Sequence, residues 1–76
     1  MDPGLAFGKV LREVRKSAHL TQEQLAFAAG IDRIYVSLLE RGERQPTVRV
    51  VFKLAVALNT RPSDLIARTE NIVSSE

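Results

Sequence analysis

Four side chains between positions 33 and 38 combine a cation, a hydroxyl and two aliphatic groups at helical spacing: Arg33, Ile34, Ser37 and Leu38. Val36 and Leu39 lie three residues apart, so they predict the inward side of the same helix and leave the other four on its outer side or flanks. An arginine fork can bond O6 and N7 of guanine, and aliphatic groups can contact the methyl group of thymine. This combination indicates a helix that reads base edges in the major groove of DNA.

Each of these residues also has an ordinary structural explanation. Arg33 can be a surface arginine that pairs with Glu23 or Asp32. Ile34 and Leu38 can be buried against another chain instead of DNA, because exposed apolar groups on a small domain need some such contact. Both explanations of the aliphatic groups remain open at this point.

Residues 20–42 contain the signals that must position this helix. Capping and helix-ending residues occur in the order that two short helices require, at Thr21, Gln24, Gly30, Asp32 and Gly42. We expect the second helix to run to about Arg41. Two short helices joined by a tight turn with a glycine are typical of the helix-turn-helix unit, whose second helix fits the major groove.

The two ends of this unit carry groups suited to phosphate contacts. Gln22 begins the first helix, where its amide and the free backbone N–H groups favour an anion. Arg41, Arg44 and Thr47 follow the second helix and predict another phosphate contact. Arg41 has an alternative explanation, as a cation that favours the negative end of its own helix.

The remaining apolar periodicity predicts three more helices and an all-α fold, a compact five-helix bundle. The first runs from about Leu5 to Ala18, and Pro62 starts a short fifth helix. The fourth, Thr47 to Leu58, is expected to turn five residues into the core: Val48, Val51, Leu54, Ala55 and Leu58. We expect an N-terminal tail over residues 1–4, one domain over 5–68 and a frayed C-terminal tail over 69–76.

Three apolar residues have no inward explanation and predict a two-fold interface: Phe52, Val56 and Ile66. A homodimer built on them would set two recognition helices about 34 Å apart, one turn of DNA. The alternative is that Phe52 only covers the rim of the core.

Size and composition exclude several functional classes. A chain of 76 residues has room for one domain, and its 45% hydrophobic and 26% charged residues argue against disorder. It has one histidine, no cysteine and no glycine-rich phosphate loop. We therefore expect no enzyme activity, no metal, no cofactor and no small-molecule ligand.

The composition also bears on location and partners. No apolar run approaches the roughly 20 residues of a membrane span, and the N-terminus lacks the pattern of a signal peptide. The absence of cysteine fits a reducing cytoplasm, which is the expected location. The net charge is only +2, but eight of the eleven basic residues are arginines, which suit phosphate and guanine.

An ungapped pattern over roughly residues 5–66 resembles the phage Cro/C1-type, Xre family of DNA-binding domains. It reads Arg15-x4-Leu20-Thr21-Gln22-Glu23-x-Leu25-Ala26-x3-Gly30-Ile31-Asp32-x3-Val36-Ser37-x2-Glu40-x-Gly42-x3-Pro46-Thr47. The resemblance implies a lambda-repressor-like fold. Within the family, residues 32–41 are similar to the recognition helix of restriction–modification controller proteins, stand-alone dimers that bind operators upstream of their own genes.

The resemblance implies a role for each matching position. Arg15 and Glu40 match a buried ion pair that joins the first helix to the end of the third. Base edges would be read by Arg33, Ile34, Ser37 and Leu38. The DNA backbone would be contacted by Gln22, Arg44 and Thr47, and the backbone or the edge of the groove by Tyr35. From their positions at the ends of the two helices, Thr21 and Arg41 are further candidates for backbone contacts. The chain departs from the family at Arg61, where a serine-like cap is usual. It also departs at Leu38, so the family's operator preferences do not transfer.

Two functional classes fit these observations. The leading hypothesis is a transcription regulator, a restriction–modification controller that binds a palindromic operator as a homodimer and excludes or recruits RNA polymerase. The alternatives are a generic Xre-family repressor or the DNA-binding antitoxin of a toxin–antitoxin pair. An antitoxin should co-purify with its toxin, whereas a stand-alone regulator should be a dimer by itself.

Overall fold

The computed structural model describes residues 1–75 and shows five α-helices. They are α1 (Pro3–Ser17), α2 (Gln22–Ala29), α3 (Arg33–Glu40), α4 (Val48–Ala57) and α5 (Pro62–Ser74). No strand occurs in this range, so the predicted all-α fold of five helices is confirmed. α1 packs against α3 and α5, α2 packs against α3 and α4, and α4 also packs against α5.

Short side chains start four of the five helices, α1 to α4, by accepting backbone N–H groups that have no partner within the helix. The Oδ2 atom of Asp2 accepts from Gly4 and Leu5 at 2.9 and 3.1 Å, so α1 begins at Pro3, earlier than predicted. The predicted capping box of α2 is present, with Thr21 and Gln24 bonded in both directions at 3.0 and 2.9 Å.

The turn between α2 and α3 depends on a glycine in the left-handed conformation. Gly30 has φ +69°, a value that residues with a side chain adopt only at a cost, and it ends α2 as predicted. The Oδ1 atom of Asp32 then accepts the Ile34 N–H at 2.8 Å and starts α3. These local signals set the direction in which α3 leaves the turn.

The core is a single cluster of apolar side chains from all five helices. Its largest fully buried members are Val10, Leu11, Leu25, Val36, Leu39, Leu54 and Leu65. Burying one such side chain contributes about 1.5–3 kcal/mol, so each helix is held mainly by the few residues on its inward side. The inward side predicted for α3, Val36 and Leu39, is confirmed by this cluster.

Val48 is a correction to the predicted core. It is 75% exposed, although Val51, one turn later, is buried as predicted. The first turn of α4 projects beyond the packed core, so Val48 lines an apolar pit with Phe52 and Ile66 instead.

The frayed tail predicted from residue 69 is wrong, because α5 continues to Ser74. Leu65, Thr69 and Ile72 recur at i, i+4 and i+7 on the face of α5 that packs on the core. The Thr69 hydroxyl donates to the Leu65 carbonyl at 2.8 Å, which allows this polar side chain to be buried. The predicted tail over residues 1–4 is likewise wrong from Pro3 onward, and Glu76 lies outside the described residues.

Helices long and apolar enough to cross a membrane do not occur among residues 1–75.

Candidate nucleic-acid interface

The outer side of α3 carries the four side chains predicted to read bases. Arg33 and Ile34 are exposed, while Ser37 and Leu38 are half-buried along the flank. Val36 and Leu39 are fully buried and attach the opposite side of the helix to the core. The result is a short helix that presents one guanidinium, one hydroxyl and two aliphatic groups to the surroundings.

A shallow depression joins this surface to the loop that follows α3. It is lined by Asp32, Ile34, Tyr35, Leu38 and Arg44. The Tyr35 hydroxyl donates to the Gln45 carbonyl at 3.3 Å and so ties the loop to the helix. Arg44, which is exposed and forms no ion pair within residues 1–75, is thereby brought next to the aliphatic groups of α3.

An open cleft lies on the other side of α3, at the start of α2. It is lined by Arg15, Leu20, Thr21, Gln22, Glu23 and Arg33. Within the described part of the chain, the backbone N–H groups of Gln22 and Glu23 have no hydrogen-bond partner. Free N–H groups at the positive end of a helix favour an anion, so this cleft suits a phosphate group.

The two threonines predicted to contact the DNA backbone cap helices. The Thr21 hydroxyl accepts the Gln24 N–H at 3.0 Å, and the Thr47 hydroxyl accepts the Val50 N–H at 3.1 Å. A hydroxyl has one proton to donate besides its acceptor positions. Each threonine therefore keeps an O–H donor for one further acceptor.

Arg41 has a neighbouring partner of its own. It pairs with Glu43 at 3.0 Å, and both side chains are more than half exposed. Such a surface pair contributes at most about 1 kcal/mol, so a phosphate can compete for Arg41. Arg44 has no such competing carboxylate among residues 1–75, so its guanidinium is the more readily available to a phosphate.

Arg15 and Glu40 form a buried ion pair between α1 and the end of α3. Arg15 Nε lies 2.6 Å from Glu40 Oε2, and a second guanidinium nitrogen donates to Oε1 at 3.0 Å. The remaining nitrogen donates to the Leu20 carbonyl at 2.8 Å. The hydrogen bond to Glu40 raises the pKa of Arg15, against the opposing effect of burial. The pair holds the start of α2, α1 and α3 in one arrangement.

Sequence reasoning missed a third member of this network. The Gln22 amide nitrogen donates to Glu40 Oε1 at 3.1 Å, across 18 positions of the chain. No periodicity or cap pattern predicts this contact, because it depends on how α2 and α3 pack.

The three residues predicted to form a dimer interface are all exposed. Phe52, Val56 and Ile66 have 56%, 79% and 50% of their surface accessible. Phe52 and Ile66 also line an apolar pit between α4 and α5, together with Val48, Val51, Pro62 and Ser63. The surface thus combines projecting apolar groups with this apolar pit.

Comparison with known proteins finds similar chains among helix-turn-helix control proteins. A family described as "Helix-turn-helix" matches residues 11–65. Control protein C.BamHI of Bacillus amyloliquefaciens is 38% identical over 63 residues, 82% of this chain and 78% of that protein. Control protein C.SmaI of Serratia marcescens is 41% identical over 58 residues, 76% and 69% respectively. The crystal structure of the restriction–modification controller protein C.AhdI from Aeromonas hydrophila superimposes with a TM-score of 0.79 at 46% identity, covering 80% of this chain and 92% of that one.

Proposed function

Since the chain belongs to the Xre-type helix-turn-helix family, we propose that it is a transcription regulator that binds a palindromic operator in double-stranded DNA as a homodimer. The observation that carries this proposal is the outer side of α3, where exposed Arg33 and Ile34 accompany Ser37 and Leu38 on a helix fixed by its other side. A rigid helix with these groups can enter a major groove and bond base edges without first being ordered.

Two groups of residues on either side of α3 support this reading by providing phosphate contacts. At the start of α2, the Gln22 amide and the Thr21 hydroxyl line one cleft with free backbone N–H groups. Beyond α3, Arg44 and Thr47 lie in and after the loop that Tyr35 holds. Contacts to the DNA backbone on both sides of a groove would set the depth and direction of the helix between them.

The surface formed by α4 and α5 supports the proposed dimer. A two-fold interface brings the same patch of each subunit together, so it must be complementary to itself. This requirement is supported by the projecting Phe52 of one subunit and the pit that Val48 and Ile66 line in the other. Such a dimer would present two α3 helices to successive turns of one DNA face, about 34 Å apart.

The controller proteins among the relatives suggest the regulated genes. C.BamHI, C.SmaI and C.AhdI are named as control or controller proteins, and this chain covers at least two thirds of each. We infer that this chain regulates a restriction–modification operon that includes its own gene. It would do so in the cytoplasm, by excluding RNA polymerase from the promoter or by recruiting it.

Selection of bound sequences from random duplexes tests the proposal. We expect a palindrome whose half-sites are one helical turn apart, with one protein dimer bound per palindrome. We also expect a match to it in the DNA upstream of the gene, beside genes for a methyltransferase and an endonuclease. Recovery of no common sequence would contradict the proposal.

The antitoxin alternative is distinguished by stoichiometry. The apolar surface that contains Phe52, Val56 and Ile66 can cover a different protein instead of a second copy. A toxin gene next to this one, and a toxin that co-purifies at one copy per chain, would favour that alternative. A generic Xre-family repressor would bind a palindrome with neither set of neighbouring genes.

A further inference from the structure

Glu40 is shared between the buried ion pair and the residue at the start of α2. Its side chain is only 4% exposed. One oxygen accepts from Arg15 alone, and the other accepts from both Arg15 at 3.0 Å and Gln22 at 3.1 Å. An ionised carboxylate can only accept hydrogen bonds. The amide of Gln22 must therefore turn its nitrogen, and not its oxygen, toward Glu40.

This orientation has a consequence for the cleft at the start of α2. The amide nitrogen has two hydrogens, and Glu40 accepts one of them. The other remains available beside the Thr21 hydroxyl and the free N–H groups of Gln22 and Glu23. Released from Glu40, the amide would rotate, and part of its orientations would present an oxygen to a phosphate oxygen.

The positive charge of Arg15 offsets the negative charge of Glu40 close to the proposed phosphate site. An isolated carboxylate near the DNA backbone would repel the phosphates. The two hydrogen bonds from Arg15 neutralise it locally, while its geometry as an acceptor is kept. We propose that Glu40 is a positioning residue for DNA binding, which holds the Gln22 amide so that its second N–H meets a phosphate. The inference rests on the proposed DNA binding.

A double-mutant cycle with three variants tests this role: Gln22→Ala, the pair Arg15→Met/Glu40→Met, and all three changes together. Replacing a buried ion pair by apolar residues of similar volume keeps a domain folded, and this exchange leaves the net charge unchanged. The cycle needs operator affinity by fluorescence anisotropy and folding by circular dichroism. We expect Gln22→Ala to lower affinity about tenfold per subunit in the natural background, as for one hydrogen bond to a charged group. In the Met/Met background we expect less than a twofold loss.

Two controls separate positioning from general damage. Arg44→Ala removes the proposed phosphate contact on the other side of α3. It should lower operator affinity by the same factor in both backgrounds. Gln22→Ala should leave the salt dependence of binding unchanged, because the amide is neutral and releases no counterion. An equal loss from Gln22→Ala in both backgrounds would overturn the inference. Glu40→Asp, which keeps the charge but shortens the side chain, replaces the Met/Met pair in the cycle should that variant fail to fold.

One measurement needs neither DNA nor a variant. Side-chain ¹⁵N relaxation of the free protein should show the Gln22 amide more restricted than that of Asn71, which is exposed and makes no side-chain hydrogen bond among residues 1–75. An equally mobile Gln22 amide would overturn the positioning role. Failure of the natural protein to bind any duplex would instead contradict the proposed function, whatever the relaxation shows.

Discussion

Gly8 of α1 lies directly against the carbonyl of Leu39 near the end of α3, with no space for a side chain between them. A Cβ atom at position 8 would lie 2.5 Å from the Leu39 oxygen and 2.6 Å from that of Glu40. Both contacts are with backbone, which cannot rotate aside as a side chain can. The distance between α1 and the end of α3 is therefore set at Gly8, through contacts with the two residues that follow Leu38, the last predicted base-reading position.

The first prediction concerns Gly8→Ala. Overpacking of this kind costs about 1–3 kcal/mol and exceeds the roughly 0.5–1 kcal/mol that alanine gains over glycine within a helix. We expect the free energy of unfolding, measured with urea, to fall by about 2 kcal/mol. Gly30→Ala is the matched control, since a Cβ there meets nothing within 4 Å and only the positive φ is strained. A smaller loss at Gly8 than at Gly30 would contradict the prediction.

The second prediction concerns Arg33→Ala. If Arg33 bonds a guanine, the variant should lose about 1–3 kcal/mol of discrimination at one base pair of each half-site and keep its binding to random DNA. Competition between the operator and variants at each position measures this loss. An equal fall in affinity for operator and random DNA would show that Arg33 contacts only the backbone.

The third prediction concerns Arg44→Ala. Because a phosphate contact carries no sequence information, the variant should bind all duplexes more weakly by a similar factor. The slope of log affinity against log salt should become shallower by about 0.9 per subunit, the value for one phosphate contact. Arg41→Ala is the comparison, and its effect should be smaller because Arg41 pairs with Glu43. A slope unchanged by Arg44→Ala would show that Arg44 does not contact a phosphate.

The fourth prediction concerns oligomeric state. Phe52→Glu/Val56→Glu introduces two carboxylates into the proposed two-fold interface, where they would be buried opposite their own copies. Sedimentation should show monomers at concentrations where the natural protein is a dimer. Phe27→Glu is the matched control, since Phe27 is 89% exposed on α2 and lies outside the proposed interface. Dimers that survive the double change would locate the interface elsewhere.

The fifth prediction separates the two halves of the ion pair. Glu40→Met leaves the buried Arg15 guanidinium without its carboxylate, so the free energy of unfolding should fall by about 3–5 kcal/mol. Adding Arg15→Met should restore most of this loss, because the stranded charge is then gone. Thermal melts of the three proteins provide the comparison. A double variant no more stable than Glu40→Met would show that the pair itself stabilises the fold.

The features that could be predicted from the sequence depend on contacts between near neighbours in the chain. Thr21, Gly30 and Asp32 each act within three or four positions, so their residue types suffice to place the ends of α2 and α3. The inward side of α3 followed from Val36 and Leu39 for the same reason. The likeness of spacing to a known family added Arg15 and Glu40, which no local rule would have paired.

The features that were missed or wrong depend on how helices meet. Val48 has the right spacing for the core but lies where no neighbouring helix covers it. Thr69 is polar and hid the helical periodicity that continues α5, because its buried hydroxyl is satisfied within its own helix. The need for glycine at position 8 and the bond between Gln22 and Glu40 exist only after α1, α2 and α3 have packed.

The packing of α5 against α1 bears on when a newly made molecule becomes active. Leu65 is fully buried and belongs to the helix that leaves the ribosome after the segment 21–47 has been made. Synthesis adds about 5–20 residues each second, so the recognition segment exists for a second or more without the helix that closes its core. A translation product that stops short of Leu65 would lack this closure and be open to proteolysis. The amount of active protein would therefore follow the number of completed chains and not the number of chains whose synthesis had begun.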